Sequence, residues 1–197
     1  MGYAKGRAKR RDILDQATAL FGEAGYRGTS LREIAARCGL SHPGLLHYFP
    51  TKESLLLAVL ELRDEVDQTW ITAGQPRGAA ALRRLVDLVA LNTTRRGIVE
   101  LFTVLSAEAT AADHPAHAYF VERYRTLVRE LEKAYREACE AGDLRPGVDA
   151  ARAARELIAL MDGLQIQWLL DDTSVDMAAT VEAHLTAQIS SSEHGHQ

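Results

Sequence analysis

The chain has 197 residues, 47% of them hydrophobic and 25% charged, with a net charge of −4. This is the composition of a globular protein, large enough for one big domain or for a small one joined to a larger. Two cysteines, Cys38 and Cys139, exclude a disulfide framework or a structural zinc site, and no apolar run approaches the roughly 18 residues of a membrane span.

No signal-peptide segment follows the basic N-terminus, so a reducing cytoplasm is the expected location. Strand-like alternation is nearly absent, and the abundance of Ala, Leu, Arg and Glu predicts an all-α fold. The first helix is expected from about Arg10 to Ala24, where Ile13, Ala17, Leu20, Phe21 and Ala24 recur at helical spacing; Gly25 ends it. Ser30 and Glu33 form an S-x-x-E capping box that opens a short second helix with Leu31, Ile34 and Ala35 inward. Ser41 caps a third helix, and Pro43 is tolerated in its first turn. Pro50 stops that helix, and Thr51 caps a long fourth carrying Leu55, Leu56, Val59, Leu62, Val66 and Trp70.

The break "TAGQPRG" (72–78) precedes helices over 79–94 and 98–109. The loop "TAADHPAH" leads into a long helix bearing Phe120, Tyr124, Leu131 and Tyr135. After "AGDLRPG", a helix spans about 149–170, and a last one carries Met177, Val181, Leu185 and Ile189. The tail "SSSEHGHQ" is expected to be disordered. The organisation predicted is a three-helix head at 1–52, a larger helical body at 53–189 and a tail at 190–197.

The segment "LSHPGLLHYFPTK" (40–52) crowds breakers and polar aromatics into a stretch that keeps helical spacing. On a helical wheel, Leu45 and Phe49 face inward toward Ile13, Leu20, Phe21 and Ile34, while Pro43 and His47 face outward beside Gly44. Little side-chain bulk holds a partner away from that face. A short helix, a "CGLS" turn and a second short helix make a helix-turn-helix, whose second helix enters the DNA major groove. The charge distribution agrees. Residues 1–52 hold nine basic side chains (Lys5, Arg7, Lys9, Arg10, Arg11, Arg27, Arg32, Arg37, Lys52) against four acids (Asp12, Asp15, Glu23, Glu33), so this part carries +5 and the remainder −9.

"ILDQATALFGEAGYRGTSLREIAARCGLSHPGLLHYFPTKESLL" (Ile13–Leu56) resembles the DNA-binding head of the TetR family of bacterial transcription regulators. The matching elements are the "G-Y-x-G-T-S" link, the "I-A-x-x-x-G-L-S" helix-turn and the "H-Y-F-x-x-K-E-x-L" ending, about a quarter of the chain. The resemblance implies that Thr29 and Ser30 meet a phosphate through hydroxyl and backbone N–H groups. It implies that Ser41, His42, Pro43 and Gly44 lie at the entrance of the major groove, that His47 reaches base edges or a phosphate, and that Tyr48 and Lys52 grip the backbone. The stretch "AKGRAKRR" would serve as a basic arm. Leu46 departs from the family, which commonly has tyrosine there; it would meet a thymine methyl or cover the core edge. Tyr48 also suits a packing role, and Ser30 is a cap in any case.

A palindromic operator calls for a two-fold homodimer. "LIALMDGLQIQWLL" (157–170) is apolar over more than one face, so it is expected to serve both its own core and a partner subunit. Leu157, Leu160 and Leu164 are the expected interface residues of that helix, and the resemblance implies that Val181 and Leu185 of the last helix complete a four-helix interface. The resemblance also implies a small-molecule inducer that respaces the two heads through helix four. Trp70, Phe102, Tyr124, Met161, Gln165 and Trp168 are the pocket candidates, although core helices use the same residue types. The "DHPAH" run offers Asp113, His114 and His117 as an alternative metal-dependent enzyme, but Pro115 interrupts its helical spacing, and no cysteine has a catalytic partner pattern. The expectation is no metal, no cofactor and no catalysis. A third reading is an interaction module that has lost DNA binding, supported only by the missing tyrosine at 46.

Overall fold

A computed structural model describes residues 2–190, with side chains from Lys5 onward and excepting that of Trp70. The tail from 191, expected to be disordered, lies outside the described residues; so do the side chain of Trp70 and that of Ala4 in the expected basic arm. Among the described residues the chain is all-α: α1 (Gly2–Gly28), α2 (Leu31–Arg37), α3 (His42–Tyr48), α4 (Lys52–Thr72), α5 (Gly78–Thr93), α6 (Arg96–Glu108), α7 (His117–Glu140), α8 (Ala150–Leu170) and α9 (Met177–Gln188).

The helix starts follow local chemistry. The Ser30 hydroxyl oxygen accepts from Glu33 N–H (3.2 Å) and that of Ser41 from Gly44 N–H (3.2 Å). Thr51 and Ser54 cap reciprocally: each side-chain oxygen accepts the other's backbone N–H, at 3.0 and 3.2 Å. Asp149 and Asp176 cap α8 and α9 through Arg152 N–H (2.7 Å) and Ala179 N–H (2.9 Å). The first helix is longer than its apolar spacing predicted. It begins at Gly2, so "AKGRAKRR", the expected basic arm, lies in the first turns of α1. At its other end Gly25 breaks the helix as expected, at φ 69° and ψ 178°, and one further helical turn follows to Gly28.

The chain forms two compact units, Met1–Val66 with Arg95–Val121, and Asp67–Thr94 with Glu122–Gln197. These are units of packing, and the functional boundary expected at residue 52 falls within the first of them. In the first unit, Ile13, Leu20, Phe21, Ile34, Leu45 and Phe49 close one core, as their spacing predicted. α1 packs on α6 closely enough that a Cβ at Gly22 would stand 3.2 Å from Leu101 N and 3.3 Å from Gly97 O. The second unit is built on α5, α8 and α9, with Leu82, Leu157, Val181 and Leu185 in its core. Its start is held by Glu137, which accepts from Gly78 N–H (3.1 Å) and from the Arg77 guanidinium (2.8 Å). Its end is held by an antiparallel bridge between Leu144 and Ile189 and by Ser190 N–H donating to Asp143 O (2.7 Å). Ser190, the first residue of the expected tail, is therefore tied to the fold. No helix is long and apolar enough to cross a membrane, among the described residues.

Candidate nucleic-acid interface

In the head, α2 and α3 are each seven residues long and are joined by the Cys38–Ser41 turn. The turn is fixed from inside by Leu40 N–H donating to Ala35 O (2.8 Å) and by Gly39 at φ 63°. Leu45 is fully buried and Phe49 nearly so, which rotates the rest of α3 outward. Ser41, Pro43 and His47 are exposed, while His42, Gly44, Leu46 and Tyr48 are half-buried. The His47 and Tyr48 rings meet edge to face at 5.8 Å. The face predicted to meet a duplex is thus open, short and studded with hydrogen-bonding groups.

One expected contact needs correction. Thr29 is only 2% exposed, and its hydroxyl faces the backbone carbonyls of Leu20 (3.0 Å) and Gly25 (2.9 Å). A hydroxyl satisfied inside the fold is not available to a phosphate, so Thr29 locks the α1–α2 link instead. Ser30 beside it is exposed and caps α2.

Lys52 is half-buried, with Nζ 4.4 Å from the centre of the Tyr26 ring. Burial pushes its ammonium below the ordinary lysine range, and the Glu108 carboxylate opposes that shift. The basic turns of α1 partly serve the fold. Lys9 Nζ donates to Cys38 O at the end of α2 (2.5 Å) and pairs with Asp12 (2.8 Å), Arg10 stacks on Phe49 (4.9 Å), and Arg11 pairs with Asp15 (3.2 Å). Sequence reasoning missed Lys9 as a cap because a basic run gives no sign of which lysine turns inward.

The expected interface residues of the body are largely misplaced. Leu157 and Val181 are fully buried, Leu185 is 2% exposed and Leu164 6%, all within a single subunit. Side chains already sealed by their own chain have no surface left for a partner; of the five, only Leu160 is half-exposed. The exposed large apolar residues of α8 are instead Ile166 (50%) and Leu170 (83%).

The pocket candidates do not converge on one cavity. Met161 and Gln165 line a small cavity of the second unit with Val89, Asn92, Leu164, Met177 and Val181. Tyr124 donates its hydroxyl to Asp162 at 2.7 Å, and burial raises that carboxyl above the usual aspartate range against the pull of this bond. Trp168 is buried in α8. Phe102 belongs to the first unit, where the Arg63 guanidinium covers its ring at 4.0 Å and Phe120 meets it edge to face at 5.8 Å.

The alternative metal cluster is not assembled. His114 Nδ1 accepts from Ala116 N–H (3.2 Å) and His117 Nδ1 faces Ala109 O (2.8 Å). Among the described residues no three His, Cys, Asp or Glu side chains are placed to hold an ion.

Comparison with known proteins accords with this geometry. Residues 13–59 match the profile of bacterial regulatory proteins of the tetR family, and residues 78–190 match the C-terminal domain of BetI-type transcriptional repressors. The transcriptional repressor KstR2 of Rhodococcus jostii is 31% identical over 127 residues, covering 64% of this chain and 55% of its own length. The chain thus spans little more than half of that relative. The regulator BetI of Rhizobium meliloti is 29% identical, with 91% of this chain and 90% of its own covered. A crystal structure of a transcriptional regulator from Saccharomonospora viridis in complex with choline shares the fold, with a TM-score of 0.78 at 24% identity over 92% of this chain and 98% of that one. With one profile on its helix-turn-helix and the other over more than half its length, this chain belongs to the TetR family of bacterial transcriptional regulators.

Proposed function

We propose that this regulator is a ligand-responsive repressor that binds a palindromic operator as a homodimer. The observation that carries the reading is the outward face of α3, where Ser41, Pro43 and His47 stand exposed over a buried Leu45 and Phe49. Gly44 and Pro43 let the backbone approach the groove, His42 and His47 supply donors and acceptors for base edges, and Ser30, Tyr48 and Lys52 hold phosphates. The functional boundary lies near residue 52, where the reading helices give way to α4. The dimer forms through α8, with Ile166 and Leu170 as its exposed apolar contacts.

The inducer is a small molecule bound in the body. Choline, held in the Saccharomonospora viridis structure, is the first compound to titrate. The half-buried Asp162, beside Tyr124, supplies the negative charge that a quaternary ammonium seeks.

Selection of bound fragments from a random duplex pool tests the reading. The expected result is enrichment of an inverted repeat whose affinity falls steeply with salt as counterions are released. Equal binding of every sequence at moderate salt would overturn it, and choline that changes neither operator affinity nor thermal stability removes choline as the inducer.

A further inference from the structure

Between the DNA-reading helices and the end of α6 lies a cluster that the proposed contacts leave unused. The peptide group joining Gly25 to Tyr26 is gripped at both ends. Its carbonyl accepts from the Thr29 hydroxyl (2.9 Å), and its N–H donates to Glu108 Oε2 (2.8 Å). Gly25 is required twice over here. Its φ of 69° disfavours any side chain, and a Cβ would collide with the Glu108 carboxylate. Four residues beyond Tyr26 stands Ser30, the cap of α2, so this peptide begins the link into the reading helices.

The same Glu108 oxygen lies 3.6 Å from His114 Nε2. The His114 side chain is 2% exposed, its Nε2 has no hydrogen-bond partner, and its ring packs edge to face on Tyr26 at 5.2 Å. Because Nδ1 accepts from Ala116 N–H, the neutral ring carries its proton on Nε2, pointing toward Glu108.

We propose that Glu108 is a positioning residue for operator binding, acting through the Gly25–Tyr26 peptide, and that protonation of His114 loosens its grip. This rests on the DNA-reading role of α3 given above. A second proton can only enter at Nδ1, where it faces the Ala116 N–H and breaks that bond. The imidazolium then draws the Glu108 carboxylate away from Tyr26 N–H. The charged surroundings of His114 divide. Glu108 and Asp113 favour protonation, Arg27 opposes it, and burial opposes it most, so the ring titrates below the ordinary histidine range. The Lys52 ammonium stands over the face of the Tyr26 ring, and the Glu53 charge acts on the Tyr26 phenol.

The experiment measures affinity for a duplex recovered from the random pool, by anisotropy at constant ionic strength, from about pH 8 to about pH 5.5. Wild-type affinity is expected to fall about tenfold across this range. In His114→Asn the amide oxygen still accepts from Ala116 N–H without titrating, and in Glu108→Gln an acceptor remains for Tyr26 without the charge that attracts imidazolium. Both variants are expected to hold or gain affinity in acid. By linkage, adding the duplex to wild-type protein lowers the His114 pKa by about one unit, read by NMR. An acid profile in His114→Asn that copies the wild type, in protein that binds the duplex, overturns this inference and leaves the DNA-reading role standing. Should that variant not fold, the same profile in Glu108→Gln, or an unmoved His114 pKa on adding duplex, decides it equally. A wild-type protein that recovers no duplex at any pH overturns both.

Discussion

Helices α3 and α8 were each expected to carry residues that face a partner, and they turned out oppositely. In α3 the outward residues Pro43 and His47 stand in solvent, while Leu45 alone is sealed. In α8, Leu157 and Leu164 are sealed within their own subunit, and the exposed apolar positions are Ile166 and Leu170. The difference lies in the information each helix carries. A short helix with two anchors has one possible inward face, so everything else is outward by elimination. A helix apolar around most of its circumference has several possible inward faces, and only its packing against α9 selects one.

The contrast is broken or sharpened most strongly by Leu157→Ala. If this leucine is core, the substitution costs about 2–5 kcal/mol in chemical denaturation; if it were chiefly an interface residue, the loss would appear as dissociation with little change in subunit stability. Leu170→Glu is the counterpart. It is expected to give monomers by sedimentation while the far-UV spectrum stays unchanged, and a dimer that survives it would move the interface off this end of α8. On α3, His47→Ala is expected to weaken operator binding by about 1–3 kcal/mol with unchanged thermal stability, because its side chain is exposed and contributes no core. Smaller still, Ser41→Ala removes the cap on Gly44 N–H and is expected to cost about 1 kcal/mol of stability, read by the denaturation midpoint.

A pH experiment completes the series within α8. The carboxyl of Asp162 is raised by burial, so the folded protein binds its proton more tightly than the unfolded chain does. Its contribution to stability is therefore present below the ordinary aspartate range and is lost as pH rises through the raised value. Asp162→Asn, which keeps an acceptor for the Tyr124 hydroxyl, is expected to flatten that decline. A slope unchanged by the substitution would assign it to another group.

Much of the head was legible before any coordinates. Breakers and caps such as Gly25, Ser30, Ser41 and Thr51 act within a few residues, and the spacing of Leu45 and Phe49 defines a face without reference to the rest of the chain. The inward turn of the Thr29 hydroxyl was not legible. Threonine at a helix start suits a phosphate and a backbone carbonyl equally, and the carbonyls of Leu20 and Gly25 come within reach only once α1 has bent.

From the sequence alone came the all-α class, the short paired helices of the head and the outward face of the second of them, because local periodicity and capping act over one or two turns. Only tertiary structure decided which apolar residues of α8 are core, that Lys9 closes the end of α2, and that Glu108 reaches back 82 residues to the Tyr26 N–H. These are outcomes of long-range packing, in which many side chains of one chemical kind compete for the same few buried places and geometry selects among them.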